Sequence, residues 1–335
     1  MRLQMLSVLG VLAFLGGCAA SQFEASIPKD VPRTAGSLAS GNQQFRFAVI
    51  GDRTGAHRPG VFADAVAKLE LLKPDFVISV GDLIEGYTSD EAEILRQWEE
   101  VEGHLSDLSM PTFFIAGNHD YSNATMARIW KERRGAPYWS FAYRGVLFIG
   151  ISTEDPPYEA SEKTLASTQQ LEKAMAADPA RTQQRLLEAV RERGTPPKLP
   201  GAVNISEEQV AFVRKALADH QGARWTFLIM HKPAWQYSNE AFERIEEMLA
   251  GRSYTVIAGH EHYYGRENRL GRDYIVMGTT GGVWLRDGPG RVDHVAMITM
   301  TENGPSIANI LVDGIFPKEG QPTSIPEGVD ASSGQ

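Results

Sequence analysis

Short apolar runs alternate with longer amphipathic stretches from Phe45 onward, and most of the apolar runs stop at a small polar cluster. Helices bury one face about every 3.6 residues and strands bury short apolar runs, so this alternation predicts an α/β fold. The predicted strands are Phe45–Ile50, Phe76–Val80, Thr112–Ala116, Trp139–Tyr143, Val146–Ile151, Thr226–Met230, Thr255–Ala258, Tyr274–Met277, Val295–Met300 and Ser306–Leu311. The predicted helices are Pro59–Leu72, Asp90–Leu105, Ala124–Arg133, Glu207–Asp219 and Glu240–Leu249. So many strands favour two packed sheets over one.

The stretch between residues 154 and 204 differs in texture from the rest of the chain. Two of its segments, Glu159–Ala176 and Pro179–Arg193, are rich in Ala, Gln, Leu, Glu and Arg, which are good helix formers. We therefore predict a helical insertion over 154–204. An insertion of this length can cap a substrate cleft, but a surface elaboration and a partner-binding arm are equally open. Residues 316–335, in which Pro, Gly and Ser dominate, are predicted to form a flexible tail.

The N-terminal segment has the pattern of an export signal. Arg2 precedes an apolar run over Met5–Leu15, which is shorter than the roughly 20 residues that a membrane-spanning helix needs. The segment Leu15–Ala19 then resembles the lipobox of bacterial lipoproteins. This resemblance implies cleavage before Cys18 and lipidation of that cysteine, so that residues 1–17 form a signal peptide.

The same resemblance implies a location for the protein. Ala19 directly after the cysteine favours the outer membrane, with the protein facing the periplasm. Residues 18–44, rich in Ser, Ala, Gln and Pro, are then a flexible tether. The alternative is ordinary signal cleavage near Ala20 with loss of Cys18, which gives a soluble secreted or periplasmic protein. In both cases the chain is expected to be exported.

Composition narrows the classes of function. The 335 residues include 33 Lys or Arg and 42 Asp or Glu, and a formal charge of −9 gives no general attraction for a nucleic-acid backbone. A duplex-binding protein is therefore not expected. The single cysteine, Cys18, excludes a disulfide framework, a cysteine zinc site and an iron–sulfur cluster. Any metal must be bound by His, Asp, Glu or Asn.

Five polar clusters follow predicted strands, where α/β folds place their ligand sites. They are Gly51–Gly55, Gly81–Glu85, Gly117–Asp120, His231–Pro233 and Gly259–His262. In this order, and with complete Gly-Asn-His-Asp and Gly-His-x-His motifs, they resemble the calcineurin-like metallophosphoesterase superfamily over residues 45 to about 312. The resemblance implies a four-layer α/β/β/α sandwich of two mixed sheets, here with a helical insertion, in a domain that we place at 45–315.

The side chains in these clusters are ones that divalent metals prefer. Three oxygen donors and three imidazoles are present, and this mixture suits manganese, iron or zinc better than calcium. They are Asp52, Asp82, Asn118, His231, His260 and His262. Two divalent ions about 4 Å apart polarise a phosphoryl group and lower the pKa of a water, which is the chemistry of phosphoester hydrolysis. Each residue alone is ordinary, but no packing or capping requirement predicts all of them together.

The resemblance also implies a role for each residue. Asp82 bridges the two metals, and Asp52 and His262 hold the first of them. The ligands of the second metal are Asn118, His231 and His260. His119 binds no metal and faces the scissile phosphate, where it stabilises charge or protonates the leaving oxygen, with Asp120 as a candidate orienting partner.

One position departs from the family pattern. Most members carry a histidine two positions after the first aspartate, and this chain has Thr54 there, so the first metal site is one imidazole short. Three outcomes stay open: water completes the site, Glu85 becomes a ligand, or the site binds weakly; His57 is a further substitute in principle. Fewer imidazoles shift the preference toward harder ions. We expect two divalent ions, manganese first, with iron, zinc or magnesium as alternatives.

The substrate is less well defined. Arg53 and Arg58 follow the first strand and are candidate substrate-binding residues, because arginine binds phosphate bidentately. A phosphorylated small molecule or lipid is expected, with monoester and diester both open. Two other functions stay open: a non-catalytic binding or scaffold protein on a decayed phosphoesterase fold, which Thr54 favours, and a nucleotide-binding module without hydrolysis. The sequence gives no indication of which protein partners, if any, the chain has.

Overall fold

The computed structural model describes residues 27–28, 30–34, 44–194 and 202–314. Its strands are β1 (Phe45–Ile50), β2 (Phe76–Ser79), β3 (Thr112–Phe114), β4 (Trp139–Tyr143), β5 (Val146–Gly150), β6 (Glu154–Asp155), β7 (Asn204–Ile205), β8 (Trp225–Ile229), β9 (Tyr254–Ala258), β10 (Gly265–Arg269), β11 (Arg272–Val276), β12 (His294–Thr301) and β13 (Gly304–Leu311). Its α-helices are α1 (Val61–Leu72), α2 (Glu91–Leu105), α3 (Ala124–Arg134), α4 (Glu162–Ala177), α5 (Pro179–Arg193), α6 (Glu207–Asp219) and α7 (Glu240–Leu249). Every predicted strand and helix is present, with small shifts at the ends.

Two mixed sheets organise the domain. The first has the order β13-β12-β1-β2-β3, in which β1, β2 and β3 are parallel and β12 is antiparallel to β1. The second has the order β10-β11-β9-β8-β5-β4, in which β5, β8, β9 and β11 are parallel. The carboxyl ends of the parallel strands open into the loops that carry the polar clusters.

Aromatic side chains fill the space between the sheets. Phe47 stacks on Phe76 with ring centroids 5.3 Å apart, and Phe148 stacks on Phe227 at the same distance. Phe47 and Phe148 meet edge to face across the interface at 5.1 Å. Edge-to-face and offset pairs of this kind add about 1 kcal/mol each beyond their buried area. This core fixes one sheet against the other, and with it the loops at their ends.

Helices cover the outer face of each sheet, which confirms the predicted four layers. Helices α1, α2 and α3 share one core with the first sheet, and α6 and α7 share another with the second. Helix α2 illustrates why the helices pack on the sheet, because one of its faces is apolar and buried. The residues of this face recur at spacings of four and three: Ile94, Trp98, Val101 and Leu105. Asp90 starts this helix by accepting a hydrogen bond from the N–H of Ala92 (3.0 Å).

The insertion consists of α4 and α5, here called the insertion helices, and both were predicted. They are joined at Asp178, which ends the first helix and caps the second by accepting from the N–H of Arg181 (3.0 Å). The two ends of the insertion lie together, because Glu154 in β6 pairs with Asn204 in β7. Lys232 ties them further: its ammonium donates to Glu154 Oε2 (2.7 Å), and the pair is almost completely buried.

Some features differ from the sequence prediction, among them the short strands β6 and β7, which were not predicted. Part of the segment predicted as a tether pairs with β3: the Thr34 N–H donates to Thr112 O (3.0 Å), and the Phe114 N–H donates to Pro32 O (3.1 Å). Val31 is apolar and is buried between the sheets, which explains why this segment follows the open edge of β3. Strand β10 was also missed, because its exposed polar residues show no apolar period.

Several predictions concern residues that the structure leaves undescribed. The signal peptide (1–17), Cys18 and the tail (316–335) lie outside the described residues. Within the described ranges, no helix has the length and apolar character needed to cross a membrane.

Candidate metal centre

The loops after five parallel strands bring the predicted ligands to one edge of the sandwich. Asp52 follows β1, Asp82 follows β2, Asn118 follows β3, His231 follows β8, and His260 and His262 follow β9. Four of them have a left-handed backbone: Asp52 (φ 53°), Asp82 (φ 55°), His260 (φ 72°) and His262 (φ 50°). Non-glycine residues held in this region cost about 1 kcal/mol or more each and cluster at functional sites. The surrounding fold therefore holds these loops in a conformation that serves the site.

Two groups of candidate ligand atoms share one carboxylate. Asp52, Asp82 and His262 form the first group, and Asp82, His231 and His260 form the second. Within each group, one ligand atom from every residue lies within 4.8 Å of the others, and all of these residues are buried. Asp82 is the only member that both groups contain. This arrangement is what a carboxylate bridging two cations requires.

Backbone carbonyls turn two of the imidazoles toward the cluster. His231 Nδ1 lies 2.9 Å from Val80 O, and His262 Nδ1 lies 2.5 Å from Val283 O. A carbonyl oxygen only accepts, so Nδ1 carries a hydrogen in both rings and Nε2 is the nitrogen that faces the site. The sequence did not predict these partners, since a backbone carbonyl leaves no side-chain signal.

Three polar atoms converge around one ring nitrogen. His231 Nε2 lies 3.0 Å from Asn118 Oδ1, 3.2 Å from Asp82 Oδ2 and 3.2 Å from His260 Nδ1. Asn118 is held in this orientation because its Nδ2 donates to Tyr87 Oη (3.0 Å). Tyr87 follows the second polar cluster by two residues, and the structure makes it the residue that orients this candidate ligand.

The donor set fits divalent cations. Asp52 Oδ2 is buried and has no hydrogen-bond partner among the described residues, and leaving a buried carboxylate oxygen unpaired is costly. The two carboxylates can occupy these positions only because glycines lie next to them. A Cβ on Gly117 would overlap Asp82 Oδ1, and a Cβ on Gly259 would overlap Asp52 Oδ2. A cation would satisfy the unpaired oxygen and the lone pairs that face it.

Burial and charge set the protonation of these groups. Burial lowers the pKa of His262 to about 4, and burial together with the charge of His231 holds the pKa of His260 well below its usual range. Both rings are therefore neutral, as metal binding requires. Burial alone would raise the pKa of Asp82, but the charges of His231 and other imidazoles lower it well below its usual range, so Asp82 is ionised.

His119 lies beside the cluster without belonging to either group. The backbone N–H of His119 donates to Asp82 Oδ1 (2.8 Å), and its ring Nδ1 lies 2.7 Å from Glu85 O. Nδ1 therefore donates to the carbonyl, and Nε2 is the nitrogen free to exchange a proton. A Cβ on Gly55 would lie 3.6 Å from His262 Nε2 and 3.8 Å from His119 Nε2, so the two nitrogens border the same small space.

The Asp120 carboxylate braces the backbone of two loops. Its Oδ2 accepts from the N–H groups of Asp82 (2.7 Å) and Gly117 (2.9 Å). Its Oδ1 accepts from the N–H groups of Leu83 (2.9 Å) and Ile84 (3.2 Å). The orienting contact between Asp120 and the His119 ring, which the sequence suggested, is not among the hydrogen bonds of the described residues. The carbonyl of Glu85 occupies that position instead.

The Glu85 side chain holds the loop after β1. Its Oε2 accepts from the N–H of Ala56 (2.9 Å), and its Oε1 accepts from the N–H of His57 (2.8 Å) and lies 2.7 Å from His57 Nδ1. Burial would raise the pKa of Glu85, but the His57 hydrogen bond and the charge of His119 outweigh it and lower this pKa to about 2. Both carboxylate oxygens are thus engaged away from the ligand groups, which favours a bracing role over metal binding for Glu85 and His57.

Both candidate substrate-binding arginines have other partners. Arg53 donates to Leu83 O (2.9 Å) and forms an ion pair with Glu100, and its side chain is almost completely buried. Arg58 donates to Asp293 through both terminal nitrogens and lies over the ring of Trp284, with its Cζ 3.9 Å from a ring centroid. These contacts assign the two arginines to fixing loops around the site.

The calcineurin-like phosphoesterase family model matches residues 45–264, which is well over half of the chain. The chain belongs to the calcineurin-like phosphoesterases. It is a metal-dependent hydrolase of phosphate esters, and the shared Asp82 fits the dinuclear metal site of this family. No curated protein gave a match to the sequence.

Solved structures with the same fold include other phosphoesterases. A dimetal phosphatase from Danio rerio is 16% identical, with a TM-score of 0.51, and the match covers 80% of this chain and 99% of that one. A purple acid phosphatase from yellow lupin (Lupinus luteus) seeds is 13% identical, with a TM-score of 0.57, covering 84% of this chain and 54% of that one. PhoD is 13% identical, with a TM-score of 0.50, covering 88% and 74%. At these identities the likeness is one of fold.

In this phosphoesterase the insertion lies against the metal centre. A cavity of about 160 Å³ borders both ligand groups, and Thr168 and Leu171 from α4 form part of its wall. Of the interpretations that the sequence left open for residues 154–204, this position favours a cap over the cleft.

We expect Tyr87→Phe to weaken metal binding at the second site. The change removes the oxygen that accepts from Asn118 Nδ2, so the amide is free to turn its oxygen away from His231. Losing a partner that orients a ligand typically lowers metal affinity by about 10-fold or more. Calorimetric metal titration measures this loss, with Tyr138→Phe, a ring packed on Phe212, as the matched control. Equal affinities in the two variants would contradict the role given to Tyr87.

Proposed function

We propose that this phosphoesterase binds two divalent metals through the six predicted ligands, with Asp82 as the bridge, and that His119 is its proton-transferring residue. The observation that carries the proposal is that two buried groups of ligand atoms share Asp82. Manganese is the first candidate, because the first site offers one imidazole, His262, beside carboxylates. The substrate is a phosphorylated small molecule or lipid.

The chain's own residues define the rest of the reaction. When bound, two divalent ions polarise the phosphoryl group and lower the pKa of a water. As the phosphorus–oxygen ester bond breaks, His119 Nε2 gives a proton to the departing oxygen, because Nδ1 is held by Glu85 O. The edge-to-face contact with Tyr87, with ring centroids 4.7 Å apart, keeps the imidazole in this orientation.

Metal removal and restoration test the proposal. Protein stripped with a chelator and reloaded with manganese should hold about two ions per chain and hydrolyse p-nitrophenyl phosphate or its bis ester. Loading at a hundredfold excess over Kd should stabilise the fold by about 2.7 kcal/mol, which raises the Tm by roughly 5–10 °C. Elemental analysis, turnover and thermal melts give the three readouts. Reloaded protein that holds no metal and turns over neither ester would support the scaffold alternative instead.

A histidine at position 54 should strengthen the first site. Thr54 is fully buried on the loop after β1, and its N–H donates to Asp82 O (3.1 Å). Thr54→His adds an imidazole where the family commonly has one, and we expect roughly 10-fold tighter binding of the first ion. Metal titration checks this, with Ser167→His on the exposed side of α4 as a control for binding by an added surface imidazole. An unchanged affinity would mean that the first site is not limited by its missing imidazole.

We also propose that the protein is exported and anchored by lipid on Cys18 to the outer membrane. The apolar Met5–Leu15 segment and the lipobox-like Leu15–Ala19 support this location. In cells, Cys18→Ser should move the protein out of the outer-membrane fraction. Equal fractionation of the two forms would overturn the anchor.

A further inference from the structure

The cavity beside the metal ligands is lined by two chemically different sets of residues. One set comprises the ligands and His119, with Tyr87 packed on the His119 ring. The other is mainly apolar and comes from α4 and the loop after β11: Leu171, Val283 and Leu285. The volume of about 160 Å³ is small, since pockets for drug-sized ligands usually enclose about 300–1,000 Å³. A phosphoryl group at the metals therefore leaves little enclosed space beside it, and the part of the ester group that occupies this space meets an apolar wall.

The wall is part of a packed core. On α4, Thr168, Leu171 and Met175 recur at spacings of three and four and so lie on one helical face. Leu171 and Met175 belong to a cluster with Val283 and with Leu186 of α5. The same cluster thus joins both insertion helices to the loop after β11, and Leu171 is held in place by its neighbours.

Hydrogen bonds fasten the insertion helices to that loop. Gln183 on α5 pairs with the backbone of Trp284 in both directions: its Nε2 donates to the carbonyl (3.0 Å), and its Oε1 accepts from the N–H (2.9 Å). Arg191 Nε donates to Asp287 Oδ2 (2.7 Å). The apolar wall therefore keeps a fixed position relative to the metal ligands.

The charges around the cavity disfavour an anionic ester group. No lysine or arginine lines it among the described residues, because Arg53 and Arg58 are committed to other partners. A charged group placed against this wall would lose water without gaining a partner, and that is unfavourable.

We propose that Leu171 is a specificity-determining residue, and that the enzyme selects phosphate esters whose ester group next to phosphorus is compact, uncharged and apolar, such as a simple aryl or short alkyl group. This inference rests on the proposed phosphoesterase function. In this proposal the insertion helices supply the apolar part of the substrate site.

A pair of esters with similar phenolate leaving groups tests the selection. 4-Methylphenyl phosphate carries an uncharged ring, whereas O-phosphotyrosine carries an ammonium and a carboxylate on a similar phenol. We expect kcat/KM to favour 4-methylphenyl phosphate by at least about tenfold, which corresponds to about 1.4 kcal/mol. Leu171→Ala should lower that ratio about tenfold, from about ten to about one, since it removes apolar contact from the wall. Leu186→Ala, in the same cluster but away from the cavity lining, should leave the ratio within about twofold.

Binding without turnover gives a second readout. Phenylphosphonate should bind the manganese-loaded enzyme at least about tenfold more tightly than 4-carboxyphenylphosphonate, and Leu171→Ala should narrow this difference. Hydrolysis of both esters with equal kcat/KM, or a ratio that Leu171→Ala leaves unchanged, would overturn the specificity inference alone. Failure of the metal-loaded protein to hydrolyse either ester would count against the phosphoesterase proposal itself.

Discussion

Asp82→Asn should abolish most of the activity and empty at least one of the metal sites. The substitution keeps the shape of the side chain but removes the charge that both ligand groups share. We expect kcat/KM to fall by about 1,000-fold or more, equivalent to about 4 kcal/mol of barrier. Metal content should fall from about two ions per chain to one or none. Steady-state kinetics and elemental analysis on the same preparation measure both effects.

A matched control separates this effect from a general cost of losing a carboxylate. Asp75 is a half-buried aspartate that accepts hydrogen bonds from the Arg46 N–H (3.0 Å) and the Tyr143 hydroxyl (2.9 Å), away from both ligand groups. Asp75→Asn should therefore retain metal content and activity. If Asp82→Asn also kept two metals, Asp82 would not be the bridge.

Asp120→Ala is expected to be the most destabilising change near the site. It would leave four backbone N–H groups without their acceptor, those of Asp82, Leu83, Ile84 and Gly117. Each buried donor left unpaired costs about 1–3 kcal/mol, with incomplete additivity, so we expect a loss of about 3–5 kcal/mol and a Tm lower by roughly 10 °C. Thermal and urea unfolding measure the loss, and metal affinity should fall with it because Asp82 is no longer held.

This variant distinguishes bracing from catalysis. The N-cap change Asn123→Ala on nearby α3 removes the cap bond from the Met126 N–H (2.9 Å) and the bond from Asn123 Nδ2 to Thr88 O (3.0 Å), and should cost about 1–2 kcal/mol. A catalytic role for Asp120, as the sequence suggested, predicts the opposite pattern for Asp120→Ala: normal melting and metal content with a reduced kcat.

The sequence was most informative where one local pattern determines the structure. Apolar runs such as Val146–Ile151 and the stripe of α2 depend on neighbours within the same segment, so strands, helices and the four layers could be predicted. The residues that gather at this edge of the sandwich could also be recognised, although some of them are far apart in the chain: the His260 backbone N–H donates to Asp52 Oδ1 (2.9 Å) across 208 residues. The polar residues at strand ends mark the site because parallel strands bring their carboxyl ends together.

The sequence was least informative about which partner a polar side chain chooses. Arg53 and Glu85 have the right chemistry for phosphate and metal, yet their actual partners are set by how α2 and the loop after β1 pack. Strand β10 forms because the turn at Leu270 (φ 53°) and Gly271 (φ 70°) folds it onto β11, and not because of any apolar period. Such contacts depend on tertiary packing and leave no local signature.

The closed ends of the insertion have an evolutionary consequence. The chain departs at Glu154 and returns at Asn204, its register partner, beneath the buried ammonium of Lys232. Because both ends are held at this pair, the insertion can change in length or sequence without breaking either sheet, provided that the contacts of Gln183 with the loop after β11 are kept. Descendants of this gene could therefore acquire new substrates through changes in the insertion alone, while the metal-binding residues stay the same.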